Sequence, residues 1–157
     1  AISSQPGAGT SVRVYLPAEK KLVRDDGVTC DDLNGTQTIL MVDDEDLLLR
    51  MGETILSSYG YRVLTANTGA KALEIVTKSE SPIDLVITDL VMPLMSGREL
   101  VEQIRRLSPG TRLMCTSGYV WPGSKQEKAS FLQKPFTSQE LLMKVKQMLA
   151  VETAQVD

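Results

Sequence analysis

Between residues 38 and 150, short apolar runs alternate regularly with longer segments of helical periodicity. Five runs rich in Val, Ile and Leu predict strands at residues 39–42, 62–66, 85–88, 112–116 and 129–132. Runs of this kind, apolar without alternation, are typical of strands buried on both faces of a parallel sheet. Strands that alternate with helices in this way predict an α/β fold with a parallel, doubly wound sheet.

The intervening segments predict helices at residues 46–59 and 68–78, and two more that open with capping boxes, Ser96–Glu99 and Thr137–Glu140. Gly60 is a stop signal for the first helix. Residues 118–128 contain Pro and Gly and have room for only a short helix. The side chains expected to face the core are Leu48, Met51, Ile55 and Tyr59, then Ala72, Leu73 and Val76, then Leu100, Val101, Ile104 and Leu107, and finally Leu141, Leu142, Val145, Met148 and Leu149.

The composition of the chain excludes several kinds of catalytic site and partner. The 157 residues carry a formal net charge of −3 and include no histidine. This excludes Ser-His catalysis and His-ligated metals, and it excludes this chain as a histidine phosphodonor. The charge predicts no nucleic-acid partner, and the absence of a long apolar run or signal peptide predicts no membrane contact. The two cysteines form no disulfide or zinc pattern, so a cytoplasmic location is expected, with Cys115 as a buried thiol.

Polar residues follow four of the predicted strands. Asp43, Asp44 and Glu45 follow the first, Asp89 the third, Thr116, Ser117 and Gly118 the fourth, and Lys134 the fifth. In such folds the carboxyl ends of the strands share one edge, where ligands bind. Converging carboxylates repel one another unless a cation lies among them, and oxygen ligands suit Mg²⁺. A lysine, a hydroxyl and a cation around one carboxylate predict phosphoryl binding, and the carboxylate can itself be the nucleophile that becomes an aspartyl-phosphate.

Each residue also has a plainer explanation. Asp89 could cap a helix, Asp43 and Asp44 could be a solvated helix start, and Lys134 could be a surface lysine. Their coincidence at the ends of three different strands favours a functional site.

Four short stretches of the sequence around these residues resemble the receiver domain of two-component response regulators. They are residues 39–45 (ILMVDDE), residues 88–93 (TDLVMP) with Gly97, residues 115–118 (CTSG) and residues 131–136 (FLQKPF). The resemblance covers residues 38–150 and implies a flavodoxin-like (βα)₅ sheet of order 2-1-3-4-5. It implies a phosphorelay function, with the phosphoryl group arriving from a phosphohistidine on a kinase domain or phosphotransfer protein. The chain would then catalyse only its own modification.

The resemblance also implies a role for each site residue. Asp89 is the phosphoacceptor. Mg²⁺ would be held directly by Asp44, mostly through water by Asp43, and by the Val91 carbonyl. Lys134, followed by a cis proline, would contact the phosphoryl oxygens. Ser117 would be the switch hydroxyl and Phe131 the aromatic side chain whose rotamer follows it.

Three features depart from the family pattern. The segment between Ser117 and Lys134 is short, which puts a fourth helix in doubt. Ser117 stands where the family usually has Thr. Because Thr116 lies beside it, the alignment does not decide which of the two residues holds the switch position. Two other functions fit the sequence less well. A haloacid-dehalogenase-type phosphatase would need an acid where Val91 stands, and a degenerate receiver that only binds a partner would not need the complete acidic set.

The N-terminal residues form a separate region. Residues 12–16 alternate as in a strand, and with the preceding Gly-x-Gly they resemble the end of a histidine-kinase ATP-binding domain. Taken alone, Gly-x-Gly is better explained as a turn before a strand than as a phosphate-binding loop. The expected division is therefore a kinase remnant at residues 1–17, a linker at 18–36, the receiver at 37–151 and a tail at 152–157, from a hybrid histidine kinase that is itself anchored in a membrane elsewhere. A phosphorylation-dependent dimer is a further state that the sequence allows.

The lifetime of the phosphoryl group depends on two more positions. Val91 lies two residues beyond Asp89, and Tyr119 lies two beyond Ser117. Neither side chain can orient a water for in-line hydrolysis, which predicts slow self-dephosphorylation.

Overall fold

A computed structural model describes residues 2–5, 9–12, 33–119 and 130–150. The strands are β1 (Ile2–Gln5), β2 (Gly9–Val12), β3 (Thr38–Val42), β4 (Arg62–Ala66), β5 (Leu85–Asp89), β6 (Arg112–Ser117) and β7 (Phe131–Gln133). The helices are α1 (Asp46–Ser58), α2 (Gly69–Lys78), α3 (Gly97–Leu107) and α4 (Ser138–Ala150). Among these described elements, no helix has both the length and the apolar character needed to cross a membrane.

Five of the strands form one parallel sheet in the order β4-β3-β5-β6-β7. Counted along the alternating region, this is the order 2-1-3-4-5, so the predicted flavodoxin-like fold is confirmed. The register pairs Val42 with Thr88 and Asp89 with Thr116. The carboxyl ends of β3, β5 and β6 are therefore level with one another at a common edge.

Successive residues of the central strands pack on opposite faces of the sheet, as the pleat requires. Met41 and Ile87 belong to the core beneath α1 and α4, and Val42 and Val86 belong to the core beneath α2 and α3. Every residue of β3 and β5 is buried, which explains why their sequences are apolar without alternation.

The inward face of α1 differs from the prediction. Leu49, Gly52 and Leu56 are the buried positions, whereas Met51 is 51% exposed. Gly52 packs directly on the Met41 side chain, with which a Cβ at position 52 would overlap. Because a glycine does not contribute to an apolar pattern, hydrophobic spacing alone predicts a buried face of α1 that lies one residue away from the observed one. Met51 instead lines a cavity of about 500 Å³ that Phe136 also borders.

The other helices follow their predicted faces with one exception. Leu107, expected to point inward, is 56% exposed at the end of α3. Both predicted capping boxes are present. The Ser96 hydroxyl accepts a hydrogen bond from the Glu99 amide at 3.3 Å, and the Thr137 hydroxyl accepts one from the Glu140 amide at 3.2 Å.

Residues 33–36, predicted as the end of a linker, pack against the receiver fold. Leu33 is 5% exposed within the core that includes Leu56 and Val145. Its carbonyl accepts a hydrogen bond from the Tyr61 hydroxyl at 3.0 Å, and the Asn34 carbonyl accepts one from Lys146 at 2.7 Å. Leu33 and Asn34 therefore contact the receiver fold upstream of residue 37.

Further upstream, β1 and β2 form an antiparallel pair. β2 includes Val12, and the rest of the strand predicted at residues 12–16 lies outside the described residues. The fourth helix considered for residues 118–128 lies largely outside them as well. The last strand of the sheet starts at Phe131 rather than at residue 129, and residue 129 is also outside the described part of the chain.

Candidate phosphoryl-acceptor site

Two buried carboxylates stand side by side at the carboxyl edge of the sheet. Asp43 directly follows β3 and is 5% exposed, and Asp89 ends β5 and is 8% exposed. The Asp43 amide still donates a hydrogen bond to the Ala66 carbonyl at 3.2 Å, so the sheet holds its backbone in place. Buried charges of this kind need partners, because desolvation strongly disfavours an isolated ion.

Lys134, in the loop that follows β7, is the partner of both carboxylates. Its Nζ donates to Asp43 Oδ2 at 2.6 Å and to Asp89 Oδ2 at 2.6 Å. Burial by itself would lower the pKa of Lys134, but hydrogen bonds to Asp43 and Asp89 and their negative charges outweigh it, and the pKa is raised above the ordinary lysine value. The lysine is therefore held as a cation between two anions. The Lys134–Pro135 peptide is cis, as predicted.

A third carboxylate completes the cluster. Oxygens of Asp43, Asp44 and Asp89 lie within 4.8 Å of one another, and Asp44 is exposed to solvent. Three convergent carboxylates with an open side form a donor set that suits Mg²⁺, which keeps several waters when a protein binds it. The residues present therefore fit the ion that the sequence predicts.

The loop after β5 is tied back to the end of that strand. Asp89 Oδ1 accepts a hydrogen bond from the Val91 amide at 3.1 Å, and the Leu90 carbonyl accepts one from the Gly97 amide at 3.1 Å. A Cβ on Gly97 would overlap the Asp89 carbonyl, so this close approach of the α3 start to β5 requires glycine. The hydrogen bonds fix the Asp89 carboxylate relative to Lys134.

The structure separates the two hydroxyls that the alignment left ambiguous. The Thr116 hydroxyl faces the Thr88 carbonyl at 3.5 Å inside the sheet. The Ser117 hydroxyl accepts a hydrogen bond from the Tyr119 amide at 3.1 Å, and the Ser117 carbonyl accepts one from the Lys134 amide at 2.8 Å. Ser117 is thus joined through its backbone to the lysine of the site.

Phe131 lies at the start of β7, paired in register with Cys115, and both are half-buried. The prediction of a buried Cys115 thiol is therefore corrected, because its side of β6 opens on a cleft. That cleft, of about 160 Å³, is also lined by Leu90 and Arg98. Val91 and Tyr119, the two predicted lifetime residues, are 60% and 75% exposed in the loops that follow β5 and β6.

Sequence reasoning from strand ends found Asp43, Asp44, Asp89 and Lys134, and the structure brings all four together. It missed that Lys134 bridges two carboxylates at once. It also missed Leu94, which occupies the left-handed backbone region at φ 68° and is fully exposed in the loop after β5. The turn residues Pro93 and Gly97 indicated a loop there, but nothing in the pattern indicated a leucine with positive φ.

Comparisons with known proteins agree with this geometry. The family model of the response regulator receiver domain matches residues 39–146. The chain is 35% identical to the sensor kinase CckA of Brucella abortus over 93% of this chain, which spans 17% of that kinase.

Solved structures give the same result. The receiver domain of the hybrid histidine kinase CckA is 35% identical, with a TM-score of 0.62, and the match covers 71% of this chain and 98% of that domain. The chemotaxis response regulator CheY4 of Vibrio cholerae is 33% identical, with a TM-score of 0.65, covering 73% of this chain and 100% of that protein. The chain belongs to the response regulator receiver family.

Proposed function

We propose that this chain accepts a phosphoryl group from a phosphohistidine onto Asp89 and changes conformation as a result. The observation that carries the proposal is the pair of 2.6 Å contacts from Lys134 to Asp43 and Asp89. These contacts place a fixed cation beside the one carboxylate that lies at the end of the central strand. A positioned cation stabilises the charge that develops on a transferring phosphoryl group.

In this reaction an Asp89 carboxylate oxygen attacks phosphorus. A P–O bond forms, the P–N bond to the donor imidazole breaks, and the leaving nitrogen takes a proton from solvent. The Lys134 ammonium then contacts a phosphoryl oxygen while it keeps its bond to Asp43. Asp89 is the nucleophile because Asp44 is exposed and belongs to the metal-binding set, whereas Asp89 is buried and aligned by the Val91 amide.

The receiver family uses Mg²⁺ with such an acidic cluster, and when bound the ion neutralises charge on the phosphoryl oxygens. We propose Asp44 as a direct ligand, Asp43 as one that acts mostly through water, and the Val91 carbonyl as a further ligand. The contacts of Asp43 support this division. Its two carboxylate oxygens already accept from the Glu45 amide at 3.0 Å and from Lys134 at 2.6 Å, which leaves Asp44 the more available carboxylate.

We propose Ser117 as the switch hydroxyl. A serine hydroxyl can donate to a phosphoryl oxygen while it still accepts from the Tyr119 amide, because it has one proton and two lone pairs. Phe131 would respond through β6 and β7, which pair Ser117 with Gln133 two residues further along. The cleft of about 160 Å³ beside Phe131 offers space for a change of rotamer.

We also propose that the chain is a cytoplasmic segment of a hybrid histidine kinase. The match to the sensor kinase CckA covers 93% of this chain, more than residues 39–146 of the family model, so it extends beyond the receiver. This supports residues 1–17 as a remnant of a kinase ATP-binding domain, followed by a linker at 18–36, the receiver at 37–151 and a tail at 152–157. The proposed partners are a phosphohistidine-bearing kinase domain or phosphotransfer protein.

The test is phosphorylation with acetyl phosphate and Mg²⁺, followed by mass spectrometry of proteolytic fragments. One phosphoryl group is expected, on Asp89, and none on Asp89→Asn. Ser117→Ala, which keeps all the carboxylates, is the matched control and should still be labelled. Full labelling of Asp89→Asn would remove Asp89 from its assigned role, and an unlabelled wild type would favour a receiver that only binds a partner.

A further inference from the structure

The loop between β5 and α3 contains a strained turn at Leu94. The Met95 amide donates a hydrogen bond to the Pro93 carbonyl at 2.8 Å, and φ of Leu94 between them is 68°. A hydrogen bond of this span across a residue with positive φ is typical of a γ-turn that is rare and strained. Leu94 is 102% exposed, so no core contact of its own offsets the strain. Strained conformations persist only where the surrounding structure holds them, so residues on either side must hold this turn.

Two methionines hold the turn, one on each side of it. Met92 and Met95 are both half-buried, and both pack against the core cluster beneath α2 and α3. Met95 lies directly against the start of α2, since a Cβ on Gly69 would come within 2.6 Å of the Met95 Sδ atom. Met95 therefore fixes the side of the turn that leads into α3, and Met92 fixes the side that leads back to β5.

Val91 lies between Met92 and the carboxylate site. The Val91 amide donates to Asp89 Oδ1 at 3.1 Å. The Val91 side chain is 60% exposed, so core packing of this side chain contributes little to holding the residue in place. The position of the Val91 carbonyl therefore depends on its two neighbours, the Asp89 carboxylate before it and the buried part of Met92 after it. Relaxation of the strained turn displaces Val91 only if Met92 gives way.

We propose that Met92 is a positioning residue for Mg²⁺ binding, because it holds the Val91 carbonyl in place against the strain in the turn. This inference rests on the proposed function, in which that carbonyl is a ligand of the ion. Mg²⁺ demands nearly ideal octahedral geometry, so displacement of one ligand lowers the affinity. The Met92 thioether is itself a soft donor that does not suit Mg²⁺, so Met92 acts only through Val91.

The test measures Mg²⁺ affinity by isothermal titration calorimetry on the full chain. Met92→Ala should weaken binding about tenfold, the lower end of the loss seen when a group that supports a metal ligand is removed. Met92→Leu conserves the volume of the side chain and should keep an affinity close to that of wild type. A merely structural role for Met92 is tested by two matched controls, Met95→Ala and Leu73→Ala, which truncate side chains of the same core cluster. Both should lower the melting temperature and leave Mg²⁺ affinity close to that of wild type.

Removal of the strain gives a second readout. Glycine adopts positive φ without strain, so Leu94→Gly added to Met92→Ala should restore most of the lost Mg²⁺ affinity. A defect caused only by the cavity left in the core would not be restored in this way. With acetyl phosphate as donor, Met92→Ala should need about tenfold more Mg²⁺ for half-maximal labelling of Asp89. At saturating Mg²⁺ it should reach the wild-type rate.

Several results would overturn the inference. They are wild-type Mg²⁺ affinity in Met92→Ala, an equal loss of affinity in the two control variants, and no recovery in the double variant. If Met92→Ala does not fold, Met92→Val is the smaller truncation, and it should still weaken Mg²⁺ binding more than Leu73→Ala does. A wild-type chain that binds no Mg²⁺ or is not labelled on Asp89 would contradict the proposed function. Normal binding and labelling of the wild type, with no change in Met92→Ala, would contradict this inference alone.

Discussion

The Tyr61 hydroxyl donates a hydrogen bond to the Leu33 carbonyl at 3.0 Å, and this contact joins a residue before the first strand of the sheet to the core of the domain. Burial raises the pKa of Tyr61, so its hydroxyl stays protonated and able to donate to a higher pH than that of an exposed tyrosine. The Gly35 amide adds a hydrogen bond to the Tyr59 carbonyl at 3.0 Å. Leu33 to Gly35 are therefore an integral part of the domain.

Two truncations test the importance of this segment. Removal of residues 1–32 should leave the melting temperature and Mg²⁺ affinity close to those of the intact chain. Removal of residues 1–36 should lower stability, because it deletes the Leu33 side chain from the core, and Leu33→Ala in the intact chain should cost about 2 kcal/mol. Chemical denaturation measures the stability of the two truncated chains and of Leu33→Ala. Equal stability of the two truncated chains would show that the segment contributes nothing.

Mg²⁺ binding should discriminate between the neighbouring carboxylates. Changes even to groups that only support metal ligands cost about 10–100-fold in affinity, so Asp44→Asn should weaken Mg²⁺ binding at least tenfold. Asp43→Asn should have a smaller effect, since Asp43 acts mostly through water. Isothermal titration calorimetry measures both affinities. Wild-type affinity in Asp44→Asn would exclude it as a direct ligand.

The same two variants should differ in stability without metal. Asp44→Asn removes like-charge repulsion from an exposed position and should raise the melting temperature in EDTA. Asp43→Asn removes one of the two carboxylates bound to Lys134 and should lower it. A rise in both variants would mean that repulsion, rather than the lysine contact, dominates the energetics of the cluster.

Alkaline pH should weaken the domain through Lys134. Its pKa is raised in the folded state, so the stability it contributes is fully present below the ordinary lysine value of about 10.5 and is lost as pH rises through the raised folded-state value. Lys134→Met lacks this contribution. The difference in unfolding free energy between wild type and Lys134→Met, measured in EDTA, should therefore shrink above about pH 10.5. A difference that stays constant to higher pH would contradict the assignment.

Phosphoryl lifetime should depend on Val91 and Tyr119. Both side chains are exposed, in the loops that follow β5 and β6, and neither carries a group that could orient a water in line with phosphorus. Wild-type decay should be slow after the phosphodonor is removed. Val91→Asn or Tyr119→Glu should accelerate it, by less than the roughly hundredfold that a full general base supplies. Decay within seconds in the wild type, or no acceleration in either variant, would show that these positions do not control access of water.

Much of this fold could be predicted, because buried parallel strands and capped helices leave strong local patterns. The site could also be predicted, because residues that follow parallel strands meet at one edge of the sheet. The register places Asp43, Asp89 and Ser117 at that edge regardless of side-chain detail. Predictions failed where a contact joins distant residues. Leu33 has no periodic neighbours that mark it as core, and the packing of Gly52 on Met41 cannot be inferred from apolar spacing.

The approach of Gly97 to Asp89 has a mechanical consequence. Gly97, the first residue of α3, rests on the peptide group of Asp89 with no side chain between them, since even a methyl group would not fit. The Gly97 amide is also bound to the Leu90 carbonyl at 3.1 Å. The start of α3 and the end of β5 are therefore in direct contact, with no space between them. If phosphorylation shifts the backbone at residues 89–90, α3 must tilt or slide with it, and the Arg98 side of the cleft next to Phe131 moves in the same displacement.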